Sequence, residues 1–279
     1  MRPLQWTKNG VVLAGVVFSG QFTDPRLVTQ ALLAFGSFCI VSSSMYVFND
    51  WHDRAADRLH PVKRYRPIAA QEVASDRAIG FAIGLVGTGL IIAAMVSTQL
   101  MLVVMAYCLL MICYTVRLRD IVFVDVTVIA LGFVLRALAG AVAVEVVISP
   151  WLFVCTLLLA LTLGLGKREG ELHVLGGRAE PHRATLAAYG RLNLTRLLLL
   201  SGGATVAAYT IYTIVVPAYG RGVPMAVTAP FVAVAIGRYL WLAIRLHRGG
   251  APERLLFDDR PLLVAIGAWG ISVAIVLGS

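Results

Sequence analysis

The chain alternates between long apolar runs and short polar interruptions. Ala78 to Val116, Ile121 to Val144, Trp151 to Gly166, Leu197 to Val216 and Leu262 to Gly278 hold almost no charge. Each is long enough for one or two bilayer-spanning helices of about 20 residues. None shows the period of two that a lipid-facing barrel strand needs, so the pattern predicts a helical bundle, whose backbone groups are satisfied within each helix. Cutting the runs at Gly, Pro and polar breaks predicts nine helices, at 10–23, 27–48, 75–97, 99–116, 121–145, 150–166, 190–216, 224–246 and 261–278.

Charge placement orients this pattern. With the N-terminus inside, the cytoplasmic segments are 1–9, 49–77, 117–120, 167–196 and 245–260, and they hold all 24 Lys and Arg except Arg26, Arg136, Arg221 and Arg238. Arg26 and Arg221 fall in outside loops, and Arg136 and Arg238 fall within helices. The bias follows the positive-inside rule and supports both the helix count and the orientation; the expected location is the inner (cytoplasmic) membrane. Composition agrees: 59% hydrophobic and 14% charged residues, with a mean hydropathy of +0.82, define an all-α integral membrane protein. The first apolar run follows Arg2 and Lys8 without a small-residue cleavage site, so it is read as a helix and not a cleaved signal. No linker or soluble segment divides the chain, and 1–279 reads as one transmembrane domain. The four cysteines, Cys39, Cys108, Cys113 and Cys155, lie inside apolar runs without zinc-like spacing and are expected to be buried small hydrophobes.

The outside loops "TDPR", "ISP" and "YGRGVP" are short, so function is expected on the cytoplasmic face, where the stretch "FNDWHDRAADRLHPVKRYRPIAA", 48–70, is the richest in chemistry. At roughly 100° per residue, Asn49, Asp50, Asp53 and Asp57 fall within about a 100° arc of the helix end. One amide and three carboxylates on one face repel each other unless a cation holds them, and Mg²⁺ binds through a few hard oxygens together with substrate phosphates. A solvated helix end neutralised by Arg54, Arg58 and Lys63 is the plain alternative. Lys63, Arg64 and Arg66 follow at once, between Pro61 and Pro67. Such cations grip phosphate oxygens, or else simply anchor the loop inside. Carboxylates for a metal beside cations for phosphate suit a diphosphate leaving group.

Other polar positions say less. "YTVRLRD", 114–120, puts Tyr114, Arg117 and Arg119 at the inner mouth. Asp125 and Arg136 point in nearly the same direction on one predicted helix but differ by about 16 Å in depth. At its depth Arg136 is expected to face the bundle interior or a wet cavity, either in a structural pair with Glu145 or a residue on another helix or, equally, in a ligand role. His52, His60, His173, His182 and His247 are scattered without metal-ligand spacing, and "LGLGKREG" has no phosphate-loop spacing.

"NDWHDRAAD", 49–57, resembles the NDxxDxxxD motif of the UbiA superfamily of intramembrane prenyltransferases. Across nearly the whole chain, "RPLQWTKN" (2–9), "HPVKRYRPIAA" (60–70), "GFVLRALAGA" (132–141), "GKREGEL" (166–172), "HRATLAAYG" (182–190) and "DRPLL" (259–263) are similar to its polyprenyl-phosphate phosphoribosyltransferase branch. The resemblance implies a nine-transmembrane-helix UbiA-type bundle with a central cavity open to the cytoplasmic face. It implies an enzyme that moves 5-phosphoribosyl from phosphoribosyl diphosphate to a polyprenyl (decaprenyl) phosphate, with Mg²⁺, in cell-wall arabinan precursor synthesis.

On this resemblance Asp50 and Asp53, with Asn49 and Asp57, would hold Mg²⁺ on the donor diphosphate. Lys63 and Arg66 would join Asp50 and Asp53 as catalytic groups. Lys8, Asn49, Tyr114, Arg117, Lys167, Arg168, Glu171 and Tyr189 would bind substrate. Where aromatic-acceptor members carry a second aspartate-rich motif, this chain has Lys167, Arg168, Glu169 and Glu171, which favours direct binding of anionic oxygens. Helix-end anchoring is the other reading of Lys167 and Arg168. The expected partners are the two substrates and the membrane, with no nucleic acid, and a homo-oligomer is left open. Two rival functions stand: prenyl transfer from a prenyl diphosphate to an aromatic acceptor, and a non-catalytic anion or lipid-phosphate transporter. The charges gather at one membrane face without an internal repeat, which speaks against the transporter.

Overall fold

The computed structural model describes residues 3–20, 23–146, 149–175, 184–215 and 224–278. His182 and Arg221 lie outside the described residues. Among those described there are helices and no strands. The α-helices are α1 (Ala14–Phe18), α2 (Pro25–His52), α3 (Arg54–Leu59), α4 (Ser75–Val96), α5 (Thr98–Val116), α6 (Val124–Ala143), α7 (Pro150–Leu175), α8 (Ala184–Tyr189), α9 (Leu194–Val215), α10 (Ala229–Arg245), α11 (Pro252–Asp258) and α12 (Arg260–Gly278). Eight helical stretches among the described residues are long and apolar enough to cross a membrane.

The N-terminal segment departs from the predicted 10–23 helix. Pro3–Leu13 is a 3-10 helix of 11 residues, and α1 adds only 5 more. At about 2.0 Å per residue in the first part and 1.5 Å in the second, these reach roughly 30 Å, the depth of a hydrocarbon core, with fewer residues than an α-helix needs. A second departure is α7, which continues past Gly166 to Leu175. Its glycines do not break it because they serve contacts: a side chain at Gly166 would overlap the Tyr239 hydroxyl, and one at Gly170 the backbone of Gly250. "GKREGEL" therefore lies on a helix and not in the expected inside loop.

The chain forms two compact units, Met1–Leu118 with Leu135–Val147, and Arg119–Val134 with Ile148–Ser279; α6 contributes a part to each. In the first unit α2 packs against the 3-10 segment, α4 and α5 around Phe38, Val41, Leu100, Val104 and Tyr107. Three successive serines give α2 its polar links. Ser42 accepts from Asn9 at 3.1 Å, Ser43 from Trp6 at 3.0 Å, and Ser44 donates to the Ala82 carbonyl at 2.8 Å. Interhelical hydrogen bonds of this kind hold membrane helices together where no hydrophobic force acts between them. Arg136 answers its own question: it donates to Asn9 Oδ1 at 2.7 Å and to the Tyr107 hydroxyl at 2.8 Å, its guanidinium over the Tyr107 ring. Glu145 instead faces Arg26, 3.7 Å away.

Gly140 sets how closely the N-terminal segment approaches α6, since a Cβ there would overlap the Val12 carbonyl oxygen, and one on Gly15 the Gly140 carbonyl. Gly140→Ala should cost about 2 kcal/mol or more, because backbone on one side must move. Gly36→Ala on α2, which meets nothing within 4 Å, should be neutral or slightly stabilising. Thermal unfolding of the two variants in detergent, compared at equal protein and detergent concentration, checks both signs.

In the second unit α7, α9, α10 and α12 pack together, with cores around Tyr189, Leu194 and Leu198 and around Tyr239, Leu242 and Leu255. Arg238 makes a two-pronged bond to Asp259, Nε to Oδ1 at 3.1 Å and Nη2 to Oδ2 at 2.8 Å, and this guanidinium holds the Asp259 carboxyl below the usual carboxylate range. No disulfide joins the cysteines; Cys39 and Cys108 are buried and Cys155 half-buried. Cys113 is exposed, against expectation, because it lies on the outward face of α5, where lipid replaces protein as its surroundings.

Candidate active site

The acidic stretch does not form one continuous helix. α2 ends at His52, Asp53 (φ −86°, ψ 1°) breaks the run, and α3 restarts at Arg54. The break turns Asp57 inward until it is 3% exposed, while Asp50 stays at the end of α2. Asn49 donates its amide to Asp53 Oδ2 at 3.3 Å, and His52 Nδ1 lies 3.1 Å from Asp53 Oδ1.

The loop that follows is shaped by its own side chains. The ring nitrogen Nδ1 of His60 accepts from the backbone N–H of Val62 and of Lys63, at 3.2 and 3.3 Å, which closes the turn that "HPVK" begins. Arg58 ties the far end back by donating to the Ala69 carbonyl at 3.2 Å. Held this way, the loop returns Arg66 onto the aspartates. A single nitrogen, Nη1, donates to Asp50 Oδ1 at 3.0 Å and to Asp57 Oδ2 at 2.7 Å. Lys63 is exposed, and Arg64 lies over the Tyr65 ring. Arg66 therefore pairs with Asp50 and Asp57, whereas Arg54 donates to the Trp51 carbonyl and stacks on the Trp51 ring.

The second unit builds a parallel arrangement. Asp125, in the first turn of α6, is 0% exposed and accepts from Arg168 Nε at 2.8 Å and from the Tyr189 hydroxyl at 2.7 Å. Arg168, itself buried, also donates from Nη1 to Glu171. The Tyr189 hydroxyl accepts the N–H of Phe123, whose φ of 64° turns the chain into α6. Burial, and then the bond to Asp125, push the Tyr189 phenol well above its ordinary range. Lys167 points outward, its side chain 41% exposed and 3.9 Å from Glu171. Of the two cations read as phosphate ligands in "GKREGEL", one faces solvent and the other is committed to two carboxylates.

Tyr114 is half-buried and Arg117 exposed at the end of α5, and Lys8 is half-buried on the 3-10 segment. Sequence reasoning missed Asn9, His60 as a turn former, and the meeting of His173 with His247, whose rings stack at 3.7 Å while His247 bonds Glu169 at 2.6 Å. Asn9 and His60 stood within motifs that carried a signal; nothing in spacing pairs two histidines across separate segments.

Among the described residues no three His, Cys, Asp or Glu side chains converge as a metal cage. The donor chemistry nevertheless fits Mg²⁺: Asp50 and Asp57 aim one oxygen each at a shared positive atom, and this ion binds through one or two carboxylates plus substrate phosphates and water.

Residues 10–257 match the UbiA prenyltransferase family, and the chain belongs to it, as a multi-pass, all-helical membrane transferase. Within that family it is similar to decaprenyl-phosphate phosphoribosyltransferases. The one from Mycolicibacterium smegmatis is 31% identical over 284 residues, covering 96% of this chain and 88% of the relative. The one from Mycobacterium tuberculosis is 32% identical over 275 residues, covering 96% and 90%. The fold matches that of a UbiA homologue from Archaeoglobus fulgidus solved bound to DMAPP and Mg²⁺, with a TM-score of 0.73 at 18% identity over 99% of this chain and 97% of that one.

Proposed function

We propose that the chain transfers a 5-phosphoribosyl group from phosphoribosyl diphosphate to a polyprenyl phosphate, at the cytoplasmic face of the inner membrane, in a cavity open to that face. The observation that carries the reading is the shared nitrogen of Arg66 on Asp50 and Asp57 with Lys63 in the same turn, a carboxylate pair and phosphate-seeking cations within one short stretch. The named relatives, similar over almost their full length, favour phosphoribosyl as the transferred group, and a decaprenyl chain and a cell-wall product follow the same likeness. The 3-10 segment with α1 would supply the ninth crossing and leave the N-terminus inside.

Asp50, Asp53 and Asp57, with Asn49, would hold Mg²⁺, which when bound supplies positive charge to the departing diphosphate. Lys63 and Arg66 orient the donor phosphates. Lys167 meets the acceptor's phosphate, and Asp125, through Arg168, fixes the turn of α7 that carries Lys167. A lipid phosphate oxygen then attacks ribose C1 as the bond from C1 to the diphosphate breaks. That oxygen is already ionised at neutral pH, so the side chains act by charge and position and need move no proton.

Purified protein given Mg²⁺, polyprenyl phosphate and labelled phosphoribosyl diphosphate should yield label in the lipid extract, and chelation should stop it. Label transfer from a prenyl diphosphate to an aromatic acid, with none from phosphoribosyl diphosphate, would replace this reading with the aromatic-acceptor one.

A further inference from the structure

Arg66 bridges its two aspartates with one atom, and its place in the fold leaves it little choice. Asp57 is buried, and an ionised carboxylate in that position is stabilised by a cation beside it. Arg66 is the group that supplies one, 2.7 Å away. A metal ion drawing on Asp50 Oδ1 and Asp57 Oδ2 competes with the guanidinium for those oxygens, and a displaced guanidinium must find others. Its Nε and Nη2 donate to nothing among the described residues, so the side chain can take up an anion before it lets the carboxylates go.

We propose that Arg66 is a built-in stand-in for the donor's cation, holding Asp50 and Asp57 until a metal ion arrives together with a diphosphate and then passing from carboxylate to phosphate oxygens. The inference rests on the donor site assigned above. A bare divalent ion offers Arg66 no new partner, whereas a metal diphosphate offers one in the same step. Metal and diphosphate thus bind cooperatively, and each strengthens the other by the same factor. The device keeps the acidic pair from being filled by metal alone, and it places a guanidinium beside the leaving group as the site loads.

The test uses Mn²⁺ and inorganic pyrophosphate on the purified full chain, with free Mn²⁺ followed by electron paramagnetic resonance and corrected for the Mn²⁺–pyrophosphate complex in solution. For the wild type, pyrophosphate should tighten Mn²⁺ binding about tenfold or more. Arg66→Gln should bind Mn²⁺ alone about tenfold tighter than the wild type and lose most of the pyrophosphate effect. Arg66→Lys, which keeps a charge beside Asp57 and so protects the fold, should fall between them. Unchanged or weaker Mn²⁺ affinity in a folded Arg66→Gln overturns the proposal. So does a wild-type melting temperature that rises as much with Mn²⁺ alone as with Mn²⁺ and pyrophosphate. Pyrophosphate carries no ribose, so failure of the transfer assay would remove the phosphoribosyl reading and leave this outcome to stand or fall separately.

Discussion

Asp50→Asn should lower the rate of transfer by at least about a hundredfold while leaving the protein folded. The two halves of that expectation come from the same geometry. Asp50 shares Arg66 with Asp57, and when its charge is removed the shorter bond, 2.7 Å from Arg66 to the buried Asp57, remains. Loss of the longer bond costs stability only about 1 kcal/mol. The charge that would hold the donor's metal is gone, however, and an amide cannot replace it. Asp57→Asn should behave differently, losing both activity and stability, because the buried partner of Arg66 is then the one neutralised. Initial rates with labelled donor, read beside melting temperatures for the two variants, check the contrast. Near-normal turnover in Asp50→Asn would take the carboxylate out of the donor site.

Asp125→Asn is expected to be the more damaging change to the fold, by about 3 kcal/mol or more, since removing one member of a buried ion pair strands the other. Arg168 would lose its buried partner on α6, and Tyr189 would lose a strong acceptor. The double replacement Asp125→Leu with Arg168→Met removes both charges and should recover most of the stability, as apolar substitutes for buried pairs often do. Transfer should stay crippled in the double variant, because the turn carrying Lys167 is no longer fixed. Lys167→Ala should by contrast leave melting unchanged and reduce use of the acceptor. A stable double variant with full activity would make the Asp125 cluster a matter of folding alone.

The membrane helices were legible because lipid imposes a simple rule: an apolar run of the right length with cations on one side. Helix ends followed wherever a breaker acted locally, through its ring at Pro150 or through its side chain at Ser97, whose hydroxyl caps α5. They failed where a glycine served packing instead, so that α7 ran on past Gly166. The shared face of the aspartates was visible from spacing, but its break at Asp53 was not, because the loop that pulls Asp57 inward is closed by His60 and Arg58 through backbone groups. The Asp125–Arg168 pair joins residues on different helices, and no local pattern announces such a match. Arg136 was correctly read as needing a partner, yet the partner came from the far N-terminal segment.

That last contact bears on how the protein is made. An arginine in the middle of α6 opposes entry of the helix into the bilayer by roughly 2.5–3.5 kcal/mol. Asn9 and Tyr107, the groups that receive its guanidinium, both precede it in the chain. By the time the ribosome delivers α6 to the insertion machinery, the acceptors for its charge have already been synthesised. The order of synthesis thus makes the acceptors available before the charge that needs them.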